Sequence, residues 1–154
     1  MRESLKFYID GAWVDPIEPR RWDIINPATE DSVGVINLGN ERDVDKAVAA
    51  AKQAFRSYGR TSRNERIELL ESIIDAYKLR SKDLAEAITD EMGAPSPMAL
   101  NQHAMVGYVH LWTALEALRT YKFEELRGTT WVMHEPVGVC ALITPWNWPM
   151  NQTC

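Results

Sequence analysis

One asparagine near the end of the chain has neighbours that suit it for chemistry. Asn147 lies in the stretch PWNWP, between Trp146 and Trp148 and bracketed by Pro145 and Pro149. A side-chain amide offers two hydrogen-bond donors and one acceptor. Fixed between rigid neighbours, it could donate to an oxygen that gains negative charge during a reaction, as an oxyanion hole does. The structural alternative is that Asn147 caps the following helix and that the rings around it simply pack.

The segment before PWNWP indicates how such a donor would be placed. Residues 137–143, VGVCALI, are an unbroken apolar run, which is typical of a strand buried on both faces of a parallel sheet. A helix is predicted to begin around Trp148 and Pro149, with Asn147 as its N-cap. A buried strand, a turn and a helix are the start of a βαβ unit. Ligands of open α/β sheets bind beyond the carboxyl ends of the strands, where Asn147 would lie.

The first 39 residues have the pattern of short strands and turns. Apolar stretches alternate with turn residues, and Asp10-Gly11 between apolar residues is a signal for a two-residue hairpin. The pattern changes at Asn40, which is predicted to be the N-cap of an amphipathic helix that ends just before Gly59.

Two further helices are predicted before the chain returns to strand. Ser62 and Glu65 have the spacing of a capping box, and Ser81 is a candidate cap for a continuation that Gly93 ends. The next helix is predicted over residues 96–121. Its predicted core residues are Met98, Met105, Val109, Trp112 and Leu115.

A short strand is predicted between that helix and the apolar run. The stretch TWVMHE, residues 130–135, is rich in β-branched and aromatic residues. Pro136 follows it directly, and proline cannot donate to a strand ladder, so we expect this strand at the edge of a sheet.

The bulk composition excludes several classes of function. The 154 residues carry a net charge of −5, with 45% hydrophobic and 25% charged residues, as in soluble globular proteins. The sequence has no basic run for nucleic acid, no membrane-length apolar stretch and no secretory signal pattern. Cys140 and Cys154 lack a metal-ligand spacing, as do His103, His110 and His134. We therefore expect a cytoplasmic protein that binds no metal, nucleic acid or membrane.

Six motifs follow one another along nearly the whole chain. They are YIDGAWVDP, INPATED, DVDKAVAAAKQAF, RTSRNERIELLESI, EMGAP and EPVGVCALITPWNWPMNQ. Each is weak alone, and EMGAP by itself is explained as a helix end. In this order and spacing, the set resembles the N-terminal portion of the NAD(P)-dependent aldehyde dehydrogenase superfamily. The resemblance implies an α/β fold with N-terminal β-ribbons, a helical segment and the start of the parallel sheet of a Rossmann-type cofactor-binding domain.

The resemblance also implies an activity and the residues that serve it. Family members oxidise an aldehyde to a carboxylic acid with NAD or NADP. A cysteine thiolate attacks the aldehyde, the thiohemiacetal passes hydride to the nicotinamide, and a glutamate base helps water to hydrolyse the thioester. By this resemblance, Asn147 donates to the thiohemiacetal oxygen, and the cofactor cleft is lined by Ile143, Thr144, Pro145 and Trp146.

The same resemblance divides the chain into three parts. Residues 1–121 would be the N-terminal strands and helices of the cofactor-binding domain. Residues 122–136 would form a β-ribbon used in subunit contacts, which implies a homo-oligomer, a dimer or a tetramer. Residues 137–154 would supply the first strand and helix start of the dinucleotide-binding sheet.

The family's nucleophilic cysteine and glutamate base have no match in this sequence, because neither Cys140 nor Cys154 falls at the motif of the nucleophile. We therefore expect the 154-residue chain to be inactive alone and to be part of a longer enzyme. The alternative is a truncated, non-catalytic protein that acts by pairing its exposed strand edge with another chain.

Overall fold

A computed structural model describes residues 2–154, with short strands at the N-terminus followed by long helices. The elements are, in chain order, β1 (Arg2–Ser4), β2 (Phe7–Ile9), β3 (Ala12–Val14), β4 (Arg20–Ile25), β5 (Ser32–Leu38), α1 (Glu41–Tyr58), α2 (Arg63–Met92), α3 (Ser96–Met98), a π-helical segment (Ala99–Ala104), α4 (Met105–Thr120), β6 (Glu124–Arg127), β7 (Thr130–Met133) and α5 (Pro149–Thr153).

The N-terminal strands form two small sheets. Strand β5 lies between β1, to which it is parallel, and β4, to which it is antiparallel. Strands β2 and β3 form an antiparallel hairpin whose turn residues Asp10 and Gly11 have φ of 54° and 76°. Two positive φ angles are what a type I′ turn requires, so the hairpin predicted from Asp10-Gly11 is confirmed.

The first long helix is tied to the strand region through a buried carboxylate. The Asn40 side chain accepts hydrogen bonds from the backbone of Arg42 (3.0 Å) and Asp43 (3.3 Å), so the predicted N-cap is confirmed. The carboxylate of Asp43 is buried and accepts from the backbone N–H groups of Asn40 and Ile17, each at 3.0 Å. The buried carboxylate is therefore satisfied by two donors, one from the N-cap residue of the helix and one from the chain that precedes it.

Helix α2 is one uninterrupted element of 30 residues. It begins with the predicted capping box of Ser62 and Glu65 and ends at Gly93, whose φ of 71° is left-handed. The predicted cap at Ser81 is wrong, because its hydroxyl donates to the Lys78 carbonyl (3.0 Å) inside the helix. A serine within a helix can bond back to the preceding turn in this way, without starting a new helix.

The next helical stretch has the predicted extent but a different core. Leu115 is buried as predicted, whereas the other four predicted core residues are exposed. The buried residues of this stretch are Ala99, His103, Ala104, Gly107 and Leu115.

The physical reason for this difference is the π-helical segment. Its i→i+5 hydrogen bonds interrupt the regular 3.6-residue period on which the prediction rests, so the buried face changes position along the helix. The small side chains of Ala99 and Ala104 then pack against Ala85 and Ile88 of α2, in one core cluster.

Strands β6 and β7 form an antiparallel hairpin, so the strand predicted over residues 130–135 is confirmed for 130–133. The strand predicted over residues 137–143 is not formed within residues 2–154. Val137 and Ile143 are 92% and 93% exposed, and no ladder forms there within residues 2–154. A parallel strand exists only with a neighbour, and β1 to β7 do not supply one.

Replacing Gly107 by alanine is expected to destabilise the protein, although alanine favours a helix over glycine by about 1 kcal/mol. An added Cβ would overlap the Tyr77 hydroxyl and lie 3.1 Å from the Met150 Cβ. Overpacking costs about 1–3 kcal/mol, so we expect a lower melting temperature in thermal unfolding. Thr113→Ala, on the exposed side of α4, is the matched control and should not lower it. A higher melting temperature for Gly107→Ala would contradict this close packing.

Candidate functional site

The PWNWP stretch is a bend that leads directly into α5. The helix begins at Pro149, with Trp148 at the N-cap position and no side-chain capping bond. Asn147 therefore lies one residue outside the helix, and the predicted N-cap role is wrong. Its side chain is exposed. The amide donors of Asn147 are thus not used to satisfy the helix end, which leaves them free to meet a ligand.

The bend is held against the helices by an aromatic stack. The rings of Trp148 and His103 lie with centroids 4.3 Å apart and planes at 28°. His103 belongs to the π-helical segment and is 4% exposed. Its Nδ1 atom is buried and has no hydrogen-bond partner among residues 2–154. The imidazole therefore contacts the bend through its flat face, which stacks on Trp148.

Two further contacts fix α5 itself. Met150 packs against the core cluster that contains Ala99 and Ala104. The Asn151 Oδ1 lies 2.9 Å from the His110 Nε2, within hydrogen-bond distance, which joins α5 to α4. Because α5 has only five residues, its position depends on these side-chain contacts more than on its own helical hydrogen bonds.

Tyr77 of α2 forms a hydrogen bond with this region. Its hydroxyl donates to the Ala104 carbonyl at 2.6 Å, at the end of the π-helical segment. Burial and, to a smaller extent, the negative charge of a nearby Cys154 thiolate together raise the pKa of Tyr77 to about 12. The neutral hydroxyl is therefore the form that the fold stabilises.

The two cysteines are free, and Cys154 lacks the surroundings of an activated nucleophile. Burial raises the pKa of the Cys154 thiol, whereas a nucleophilic cysteine is activated by a lowered pKa. Cys140 is exposed in the run before the bend, and its Sγ lies 3.8 Å from the Gly138 carbonyl oxygen.

The four residues predicted to line a cofactor cleft are consecutive and open. Ile143 is 93% exposed and Trp146 is 79% exposed, and Thr144 and Pro145 between them are exposed as well. The structure places them side by side with Asn147 at the end of the run. Exposed apolar side chains that lie next to one another are available for contact with a ligand or with another part of a protein.

Two classes of site are not found in the part of the chain that the structure describes. Over residues 2–154, no group of three or more His, Cys, Asp or Glu side chains is arranged to hold a metal ion. None of the helices described here is both long and apolar enough to cross a membrane.

Sequence reasoning did not identify His103 as part of this region. Its only apparent partner in the sequence was His110, seven residues later on the same helix. The stack with Trp148 depends on the π-helical segment and on how α5 docks, and neither leaves a local sequence signal.

Comparisons with known proteins agree on one family. A profile described as "Aldehyde dehydrogenase family" matches residues 13–154. The chain is 53% identical over 153 residues to a 3-succinoylsemialdehyde-pyridine dehydrogenase of Pseudomonas sp, covering 99% of this chain and 32% of that protein. It thus spans about a third of the length of the curated relatives that it matches.

Solved structures give the same result. An aldehyde dehydrogenase of Bartonella henselae matches with a TM-score of 0.96 and 43% identity, over 99% of this chain and 33% of that one. A mutant of aldehyde dehydrogenase C of Pseudomonas syringae, in complex with NAD+ and octanal, matches with a TM-score of 0.94 and 42% identity, over 97% and 31%. The α/β fold predicted from the sequence motifs is thereby confirmed.

Removing the Tyr77 hydroxyl should change how stability depends on pH. Because the folded pKa of Tyr77 is raised from 10.0 to about 12, its contribution is present at low pH and is lost as pH rises through that interval. The free energy of unfolding, measured from about pH 9 to about pH 12, should therefore fall more steeply for the native protein than for Tyr77→Phe. Tyr8→Phe, at an exposed site, is the control and should keep the native slope. Equal slopes for Tyr77→Phe and the native protein would contradict this role.

Proposed function

The chain belongs to the aldehyde dehydrogenase family, and we propose that it is the N-terminal portion of an enzyme that oxidises an aldehyde to a carboxylic acid with NAD or NADP. Related structures support the substrate and cofactor, since one of them holds NAD+ and octanal. A second, from Mycobacterium tuberculosis, holds NAD+ at 27% identity to this chain. The observation that carries the chemistry is the exposed amide of Asn147, on a bend that side-chain contacts hold against the helices.

The role proposed for Asn147 is to donate to the oxygen of the aldehyde as that oxygen becomes negatively charged. A donor contributes most when it already points at the charge and needs no reorganisation. Pro145 and Pro149 restrict the backbone on both sides, and Trp148 is stacked on a buried ring. The backbone that carries the amide is therefore restricted on both sides of Asn147.

The residues proposed to hold the cofactor are Ile143, Thr144, Pro145 and Trp146. When bound, NAD or NADP accepts the hydride that leaves the aldehyde carbon. These residues fit a planar, partly apolar group, because the run is exposed and offers both apolar side chains and unpaired backbone. Their part is to bind and orient the cofactor beside the Asn147 amide.

We propose that the nucleophile and the base come from a part of the enzyme outside these 154 residues. The raised pKa of the Cys154 thiol argues against that residue as the nucleophile. The exposed run over residues 137–143 would become a strand of the dinucleotide-binding sheet when a neighbouring strand pairs with it. Residues 137–154 are then the start of that sheet.

The rest of the chain is assigned in the same way. Residues 1–121 are proposed to be the strands and helices at the start of the cofactor-binding domain. The hairpin of β6 and β7, within residues 122–136, is proposed to make subunit contacts in a homo-oligomer. Leu126 and Trp131 are exposed on it and offer apolar surface for such a contact. The free cysteines favour the reducing cytoplasm as its location.

A second candidate is a non-catalytic protein that acts by association with another chain. The exposed, unpaired apolar run over residues 137–143 favours it, because such a segment can pair with a strand edge elsewhere. Aldehyde-dependent reduction of NAD or NADP by the purified full-length protein separates the two, since this second candidate has no such activity.

Replacing Asn147 by alanine in the full-length enzyme should lower kcat about 100- to 1,000-fold, because one oxyanion donor is removed. The dissociation constant of the cofactor, measured by fluorescence titration, should stay within about twofold, since its proposed contacts remain. Asn64→Ala, at an exposed position at the start of α2, is the matched control and should keep native kcat.

The kcat of this variant is read from single-turnover experiments, so that product release does not conceal the chemical step. A native single-turnover rate in Asn147→Ala would contradict the oxyanion role. A loss of cofactor binding as large as the loss of rate would instead place Asn147 in the cofactor site.

A further inference from the structure

We propose that His103 is a positioning residue for Asn147 and that it acts through Trp148. The proposal deepens the function proposed above and rests on it, because it assumes that the Asn147 amide serves the reaction. Nothing in the sequence motifs connects His103 to the bend. The connection comes from the stack of its ring on Trp148, with centroids 4.3 Å apart.

The imidazole has a fixed position on its own side of the stack. His103 is 4% exposed and lies in the π-helical segment beside Ala104, whose carbonyl accepts the hydrogen bond from Tyr77. Ala99 and Ala104 of the same segment are in the core cluster. The ring of His103 is therefore attached to the packed helical layer, whereas Trp148 is 36% exposed and lies just before α5.

The bend, in contrast, is open on its other side. Trp146 and Asn147 are exposed, and both lie outside the hydrogen-bonded turn of α5. Trp148 follows Asn147 directly in the chain, so a displacement of the Trp148 backbone changes the direction of the Asn147 side chain. Through this stack, the position of His103 in the helical layer determines the position of Trp148, and thereby that of the Asn147 amide.

The flat face of His103, more than its nitrogen, carries this contact. Nδ1 is buried and without a hydrogen-bond partner among the described residues 2–154. A side chain of similar shape that lacks the nitrogen should therefore replace it. This gives a test by the conservative variant, since phenylalanine retains a planar ring and alanine does not.

The test uses the full-length enzyme, oxidising octanal with NAD, and compares His103→Ala, His103→Phe, Asn147→Ala and the double variant His103→Ala/Asn147→Ala. We expect His103→Ala to lower kcat about tenfold or more, with the KM for NAD within about twofold, because the amide is misplaced while the cofactor contacts remain. His103→Phe should retain kcat within about threefold of the native enzyme. Gln102→Ala, the exposed neighbour on the same π-helical segment, is the matched control and should keep native kcat.

The double variant distinguishes positioning from a general structural role. If His103 acts through Asn147, the double variant should be no slower than Asn147→Ala by more than about twofold, since the amide is already gone. If the two losses multiply instead, His103 acts independently of Asn147 and the inference is wrong.

The remaining outcomes are equally decisive. Native kcat in His103→Ala, together with a slow Asn147→Ala, overturns the inference and leaves the proposed function intact. A native enzyme that oxidises no aldehyde overturns the proposed function itself. If His103→Ala does not fold, His103→Leu, which keeps apolar bulk without a flat ring, is judged by the same criteria, and native kcat in His103→Leu would overturn the inference.

Discussion

The site depends on the close approach of three helices at Gly107. With no side chain there, the Tyr77 hydroxyl can reach the Ala104 carbonyl at 2.6 Å, and Met150 can pack from the other side. A Cβ at this position would overlap the hydroxyl. Because α5 is short, this packing determines where α5 lies. The position of α5 in turn determines the position of the bend that contains Asn147.

The region therefore has a rigid side and an open side. The rigid side consists of buried small residues, the Tyr77 hydrogen bond and the stacked ring of His103. The open side is the run from residue 137 to Asn147, which has no regular secondary structure and is exposed except at the half-buried Gly138. This division suits an oxyanion donor. The segment that contains the amide must be packed against the protein on one side, while the amide itself remains accessible to substrate and cofactor. It also explains why apolar side chains are exposed beside a well-packed core.

Much of the fold could be predicted from local sequence. The caps at Asn40 and Ser62 and the hairpin at Asp10-Gly11 depend on neighbouring residues, and each is present in the structure. The strand over residues 137–143 could not be predicted correctly for this chain, because a ladder depends on a partner that lies elsewhere. The π-helical segment and the burial of His103 also escaped prediction, since helical periodicity assumes a regular turn. The family resemblance pointed to Asn147, but the contacts that hold it are tertiary.

The role proposed for the docked bend is to present the Asn147 amide to the developing oxyanion. Its most direct test is a crystal structure of the full-length enzyme trapped with NAD and the covalently bound aldehyde. We expect Asn147 Nδ2 to lie about 2.7–3.1 Å from the aldehyde-derived oxygen, with the ring of His103 still stacked on Trp148. An amide turned away from that oxygen, or more than about 3.6 Å from it, would rule out this role.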